Sequence, residues 1–506
     1  MVLENYEPKR VLYYFERIAA IPHGSRHTAA ISDYLVSFAK EKGLDHRQDS
    51  LGNVVIRKKA SDGYEAAEPV ILQGHIDMVC EKDADCDIDM SGEGLRLKVL
   101  TRKELPYLME RPLRKDQSED DVIITAEGTT LGGDDGIAVA YMLAILESDS
   151  IPHPALECIF TVDEEIGMLG AAGFDAEDIQ GRLLLNIDSE DEGHLLVGCA
   201  GGCTTTISLP VERTYPDEIM DTMILSVEGL QGGHSGIEID KGRANASVLL
   251  GRLLQMLFFE FKNDLCLCSV NGGSKDNAIP RSAEAVLLVS LGMQEAVGNY
   301  IKEEEAIYRK EYGKREPDFR LVCRFTDEAE RPMTRESARN TINLLRCVPN
   351  GIQQMSFDIP GLVETSLNLG ILVTTEKEIS ASFSVRSSVN SEKWELINRL
   401  SAVAEALGGS CSNEGEYPAW EYREDSRLRE VMKSCYEAQY GEPMIVETIH
   451  AGVECGLFAD KLQGLDAVSF GPDMNDIHTP KEAMDLPSVQ RTWKLILSVL
   501  KVLGEQ

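Results

Sequence analysis

Apolar positions near the start of the chain recur at spacings of three and four. Ile31, Leu35 and Phe38 mark one face of a helix over roughly 27–42, and a similar rhythm predicts another over 8–20. Short continuous apolar runs follow: NVVIRK, PVILQG, LECIFTV and RLLLNID read as strands, and the stretch after Gly136 through AVAYMLAILE reads as a helix. Strands that are apolar at successive positions are buried on both faces, which predicts an α/β domain built on a mostly parallel sheet with helices on both faces. Ligands of such sheets gather beyond the carboxyl ends of the strands.

From about residue 205 the strands become longer and more polar, as in CTTTISLPV, MILSVEGL, AEAVLLVSLG and SASFSVRSS, with helices expected near 243–262, 295–312, 335–346 and 391–407. This texture predicts an α+β domain. After about 415 the first style returns, with a helix near 425–439, the strand AVSFGP and a terminal helix over 487–503. The expected organisation is therefore a domain of 1–204 plus 416–506 with a second domain, 205–415, inserted into it.

A chain of 506 residues that is 43% hydrophobic is too large for one core of ordinary size, which agrees with that division. Acidic residues outnumber basic ones by 85 to 50, so the formal charge of −35 argues against nucleic acid and anionic membranes as partners. The start MVLENYEPKRVLYYF lacks the features of a secretory signal, and the twelve cysteines are scattered without CxxC pairs, so a cytoplasmic protein with reduced thiols is expected.

Five potential metal ligands follow strands of the first style or open its helix. PVILQGHIDMV places His75 and Asp77 just past a buried strand, one residue apart and so on the same side of an extended chain, where the carboxylate can orient the imidazole. TTLGGDDGIA offers Asp134 and Asp135 in a glycine-rich turn feeding a helix; a carboxylate there can bridge two cations, but on this motif alone a helix N-cap is the plainer account. TVDEEIG sets Glu164 and Glu165 after an apolar strand, where adjacent buried carboxylates are costly unless something positive receives them. A metal explains one and general-base work the other. Asp188 in LLLNIDSED and His478 in FGPDMNDIHTP complete the set. Mixed imidazole and carboxylate donors suit two zinc ions, or manganese or cobalt, and such a pair can polarise an amide carbonyl and supply hydroxide near neutral pH. No HExxH helix, GxSxG elbow, Walker loop or GxGxxG is present, which removes the usual support for serine hydrolase, nucleotidase and dehydrogenase chemistry.

Taken in order, QGHIDMV, TTLGGDDGIA, TVDEEIG, NIDSED, GGHSG and FGPDMNDIHTP resemble the M20 metallopeptidase family over nearly the whole chain, and within it the group of aminoacyl-histidine dipeptidases, which hydrolyse Xaa-His dipeptides including β-Ala-His. The resemblance implies that His75 and Asp188 hold one zinc, Glu165 and His478 the other, and Asp134 bridges them. It implies that Asp77 orients His75 and that Glu164 is the general base. The inserted domain becomes the family's lid, which in many members forms homodimer contacts, and the substrate is a small peptide. His234 in GGHSG would polarise the scissile carbonyl, while Asn277 and Arg386 would receive the substrate's backbone and carboxylate. The alternatives are that Gly232, Gly233 and Gly236 make His234 only a turn residue and that Arg386 is a surface strand residue.

His450 and Glu454 stand at i, i+4 spacing, but Gly452 and Gly456 disfavour a ligand-bearing helix, so His450 is expected on the substrate side. The segment 91–121 is longer and more charged than the family's link, and Gly133 and Asp135 stand where alanine and often asparagine occur. A general dipeptidase, a tripeptide aminopeptidase and an N-acyl amino acid deacylase share the same metal motifs, and a non-catalytic homologue would be marked by loss of Glu164 or a ligand.

Overall fold

The structure is a computed structural model that describes residues 2–505 except 112, 116, 328 and 329. It divides into two compact units: Met1–Gly198 with Tyr422–Thr448 and Val453–Gln506, and Cys199–Glu421 with Ile449–Gly452. The sequence reading drew the boundaries at 204/205 and 415/416. Residues near 417–420 group with the second unit because strand Ser410–Tyr417 pairs with Gly201–Pro210 and Cys199 exchanges backbone hydrogen bonds with Trp420. Ala200 N likewise donates to Ile449 O, which carries the short piece containing His450 with it.

The first unit is built on an eight-stranded sheet whose order runs Asp45–Gln48, Val54–Lys58, Leu156–Thr161, Val70–His75, Leu183–Asn186, Asp466–Ser469, His194–Cys199, Ile445–Ile449. The four strands from Leu156–Thr161 to Asp466–Ser469 are parallel, and the strands flanking them pair antiparallel. Every residue of Val70–His75 and of Leu156–Thr161 is buried, so both faces of this region are covered. Val70 and Leu72 join the core formed with helices Lys9–Ala19, Gly133–Glu147 and Leu486–Gly504, and Ile71 between them faces the other side. A smaller four-stranded sheet joins Leu97–Thr101, Val122–Ala126, Ala483–Asp485 and Met474–Asn475.

The second unit is α+β. Its nine-stranded sheet is antiparallel in its paired strands, and helices Ala246–Glu260, Gln294–Tyr312, Arg335–Cys347 and Asn390–Ala406 supply the other half of its core.

Gly74 shows how tightly the strand end meets the helix. A Cβ there would lie 2.4 Å from Asp135 Oδ2 and 2.7 Å from Ala138 Cβ. Gly74→Ala is expected to destabilise the first unit by about 1–3 kcal/mol, the usual cost of overpacking. A lowered denaturant midpoint at unchanged slope would show it, and an unchanged midpoint would mean that the contact relaxes freely.

Candidate metal centre

Each candidate ligand of the first unit takes its place from an element end. His75 is the last residue of its strand, Asp163 to Glu165 follow the neighbouring strand Leu156–Thr161, Asp188 follows Leu183–Asn186, and Asp134 lies in the first turn of Gly133–Glu147. His478 comes from the turn between Met474–Asn475 and Ala483–Asp485. Three of these groups thus stand beyond the carboxyl ends of adjacent parallel strands.

His75 Nε2 lies 2.9 Å from Asp134 Oδ1 and 3.5 Å from Asp188 Oδ1. His478 Nε2 lies 3.0 Å from Asp134 Oδ2 and 2.9 Å from Glu165 Oε1. Each imidazole nitrogen therefore faces two carboxylate oxygens, and Asp134 gives one oxygen to each trio. A single N–H cannot satisfy two anionic acceptors equally, whereas a divalent cation at either centre would be met by all three donors. His75, Glu164 and Glu165 also bring ligand atoms within 4.8 Å of one another.

Asp77 holds the arrangement from behind. Its main-chain oxygen lies 2.9 Å from His75 Nδ1 and its Oδ1 lies 3.5 Å from it. The carboxylate also accepts from Ser25 Oγ at 2.8 Å and from Glu164 N at 2.9 Å. Asp135, adjacent to the shared carboxylate, accepts from His75 N at 3.2 Å, while its Oδ1 is buried without a hydrogen-bond partner.

Carboxylates outnumber the positive partners in this cluster. Burial, reinforced by neighbouring carboxylates, pushes Glu164 well above the usual carboxylate range and raises Glu165, Asp188 and Asp135. Burial raises Glu190 to about 8, with Asp134 and Asp188 adding to it. Asp134 goes the other way: burial opposes its ionisation, but hydrogen bonds from His478 and His75 hold it below its ordinary value. Hydrogen bonding to Asp134 and Glu165 raises His478 to about 10. Divalent cations are the groups that relieve such a cluster.

Several supporting contacts are not legible in the sequence. Glu482 accepts from the backbone N–H groups of Leu131, Gly132 and Gly133, which fixes the turn before Asp134. Its Oε1 would lie 3.2 Å from a Cβ at position 133, which accounts for glycine there. Below the centre, Glu454 Oε2 accepts from Gln73 Nε2 at 2.6 Å and Thr161 Oγ1 at 2.7 Å, and Asn186 Nδ2 donates to Gln73 Oε1 at 2.6 Å. Glu454 opens helix Glu454–Lys461, and His450 precedes that helix in the other unit, so the i, i+4 pair does not share a helix. In sequence Glu454 is marked only by its spacing from His450, because its hydrogen-bond partners Gln73 and Thr161 are hundreds of residues away.

Burial raises the Glu454 carboxyl from 4.5 to about 7. The folded state then binds more protons than the unfolded one between those values, so raising the pH across that window weakens the fold. Glu454→Gln keeps an acceptor for Gln73 and Thr161 and is expected to flatten the loss of thermal stability between about pH 4.5 and pH 7. Parallel melting curves of wild type and variant would contradict this.

In the second unit His234 belongs to a two-residue strand paired with Ala278–Ile279. Its Nδ1 accepts from Gly236 N at 3.1 Å and Ile237 N at 3.2 Å, which leaves Nε2 as the donor of the neutral ring. Burial and the Arg386 charge lower its pKa and keep that ring neutral. Arg386 lies on Glu378–Ser387, donates through Nη1 to Tyr417 Oη at 3.0 Å, and has a buried Nε with no hydrogen-bond partner. His450 is buried with Nε2 2.7 Å from Ser366 Oγ, and burial together with the charge of Arg386 lowers its pKa to about 3. Asn277 is exposed, and its carbonyl accepts from Ser235 N at 2.9 Å, next to His234. Tyr417 and Ser366 were not singled out in the sequence.

Among the described residues no helix is long and apolar enough to cross a membrane. A sequence model of peptidase family M20/M25/M40 matches residues 71–502. The chain is 34% identical over 499 residues to the cytosol non-specific dipeptidase of Escherichia coli (strain K12), covering 99% of this chain and 98% of that one. The crystal structure of aminoacylhistidine dipeptidase from Vibrio alginolyticus superposes with a TM-score of 0.89 at 35% identity, covering 99% and 98% of the two chains. Aminopeptidase PepT from Bacillus cereus shares the fold at a TM-score of 0.52 and 14% identity, covering 98% of each chain. With a family match across most of its length and a full-length relative of this similarity, the chain belongs to peptidase family M20/M25/M40, a family of metal-dependent hydrolases, and its close relatives are dipeptidases.

Proposed function

We propose that this protein is a cytoplasmic dinuclear-zinc dipeptidase that hydrolyses small dipeptides, Xaa-His and β-Ala-His among them. The observation that carries the reading is the pair of nitrogen-and-carboxylate trios sharing Asp134. His75 and Asp188 would hold one ion and Glu165 and His478 the other, with Asp134 between; manganese or cobalt suits the same donors. When bound, the two cations polarise the scissile carbonyl and make a water acidic enough to lose its proton near neutral pH.

The chain's own residues supply the rest. Glu164 takes the proton of the attacking water on a carboxylate oxygen and returns it to the leaving amine, a task suited to a carboxyl whose proton affinity burial has raised. Asp77 fixes the ring of His75. In the second unit, the proposed lid, His234 offers its Nε2–H to the oxyanion, Arg386 pairs with the substrate carboxylate, and Asn277 and His450 position the peptide. Dimer formation through this unit belongs to the same proposal.

Hydrolysis of β-Ala-His, Gly-His, Ala-Leu and a tripeptide by chelator-stripped protein, with and without zinc or manganese, tests it. Metal-dependent cleavage of the His dipeptides is expected, and no cleavage with any metal would end the enzymatic reading. Cleavage of Ala-Leu at equal rate would favour a broader dipeptidase, the reading that the name of the Escherichia coli relative supports. Arg386→Met is expected to raise KM at least about tenfold for free-carboxylate dipeptides, the loss of one charge-assisted pair. It should matter much less for C-terminally amidated ones, and equal losses would remove the carboxylate role.

A further inference from the structure

Described residues of the charged segment 91–121 pack along the turn that presents His478. Arg102 is buried and donates to the buried Asp485 carboxylate at 2.9 Å. Arg111 donates through Nη1 to Asn475 Oδ1 at 2.6 Å and through Nη2 to Asp476 Oδ1 at 2.8 Å. Arg114 pairs with the Asp473 carboxylate, which also accepts from Gln117 Nε2 at 3.0 Å. Lys481 sits 5.7 Å from the centre of the Tyr107 ring. Contacts from one segment therefore reach positions 473, 475, 476, 481 and 485, on both sides of His478.

The turn needs such support. Asp476 and His478 both adopt left-handed backbone angles, φ 51° and 62°, although neither is glycine. Residues in that region cost energy and persist only where their surroundings over-determine them. The His478 side chain is itself 44% exposed, so packing does little to hold it. On its inner side the turn leads to Glu482, anchored to residues 131–133.

We propose that Arg102, Arg111, Arg114 and Gln117 act as an electrostatic strap that holds the 473–478 turn so that His478 Nε2 faces Asp134 and Glu165, with Arg111 and Arg114 as positioning residues for one of the two metal positions. The inference rests on His478 being a metal ligand. Arg111 is 47% exposed, and exposed ion pairs contribute little to global stability. Groups that orient a ligand commonly change metal affinity by about 10- to 100-fold. The Arg111 contacts thus act on affinity far more than on folding, whereas Arg114 also partners the buried Asp473 carboxylate and adds to stability.

The test is calorimetric titration of the chelator-stripped full chain with zinc, at low and at high salt. In the double variant Arg111→Met, Arg114→Met one of the two binding events should weaken by about tenfold or more while the other is kept. Thermal unfolding of the metal-free Arg111→Met protein should move little, and in wild type that event should lose more affinity than the other as salt is raised. Unchanged affinities, or equal weakening at both events, would overturn the strap. His478→Ala separates the two ideas: loss of the same single event supports the metal assignment, and two intact events would refute that assignment itself. Should the double variant not fold, Arg111→Met alone decides by the same readouts.

Discussion

Glu164→Gln is expected to lower kcat by about 10²- to 10⁴-fold, the range that general acid–base catalysis usually supplies. The amide keeps the size of the side chain and can neither take the proton of the attacking water nor return one to the leaving amine. Metal content should stay at the wild-type value, because His75, Asp134, Asp188, Glu165 and His478 are untouched. KM should change little if Glu164 acts only in the transition state. Full activity in the variant would remove Glu164 from the reaction, and loss of metal along with activity would recast it as a ligand, a role that its closeness to His75 and Glu165 makes a real competitor.

The second large effect is expected from Asp134→Ala. Asp134 gives Oδ1 to the His75 side and Oδ2 to the His478 side, so one substitution removes a donor from both trios. Both zinc affinities should fall together by more than about 100-fold, beyond the usual effect of losing a group that merely orients a ligand. Turnover at ordinary zinc concentrations should fall with them. Asp188→Ala, by contrast, should weaken one event and spare the other. A variant at 134 that loses only one ion would show that the carboxylate does not bridge. Comparing the two substitutions by elemental analysis and calorimetry separates a shared ligand from two independent sites.

These expectations come from motifs that were legible before the fold was known, and the reason is physical. HxD, the acidic pair after an apolar strand and the DD turn are local: each is set within a few residues by where a buried strand stops and a helix starts. His75, Glu164, Glu165 and Asp188 could be placed beyond strand ends because all-apolar runs announce a sheet covered on both faces, and the structure has those strands parallel and adjacent. The edge strand Asp45–Gln48 is harder to read. Asp45–Gln48 is partly exposed throughout and carries no apolar run, and the pairing that makes it a strand comes from Val54–Lys58.

The order of the motifs, the chemistry of their side chains and the division into two kinds of texture were determined by sequence alone, since composition and periodicity are properties of short stretches. Tertiary structure decided which oxygen of Asp134 meets which histidine, that Glu482 pins the turn before it, that Glu454 lies beneath the centre with Gln73 and Thr161, and that Arg111 and Arg114 grip the His478 turn. Glu482 stands 351 residues from Leu131, and Gln73 stands 381 from Glu454. No local pattern encodes such pairings, because they exist only once burial has brought the strand ends together and removed the water that would otherwise satisfy each polar group.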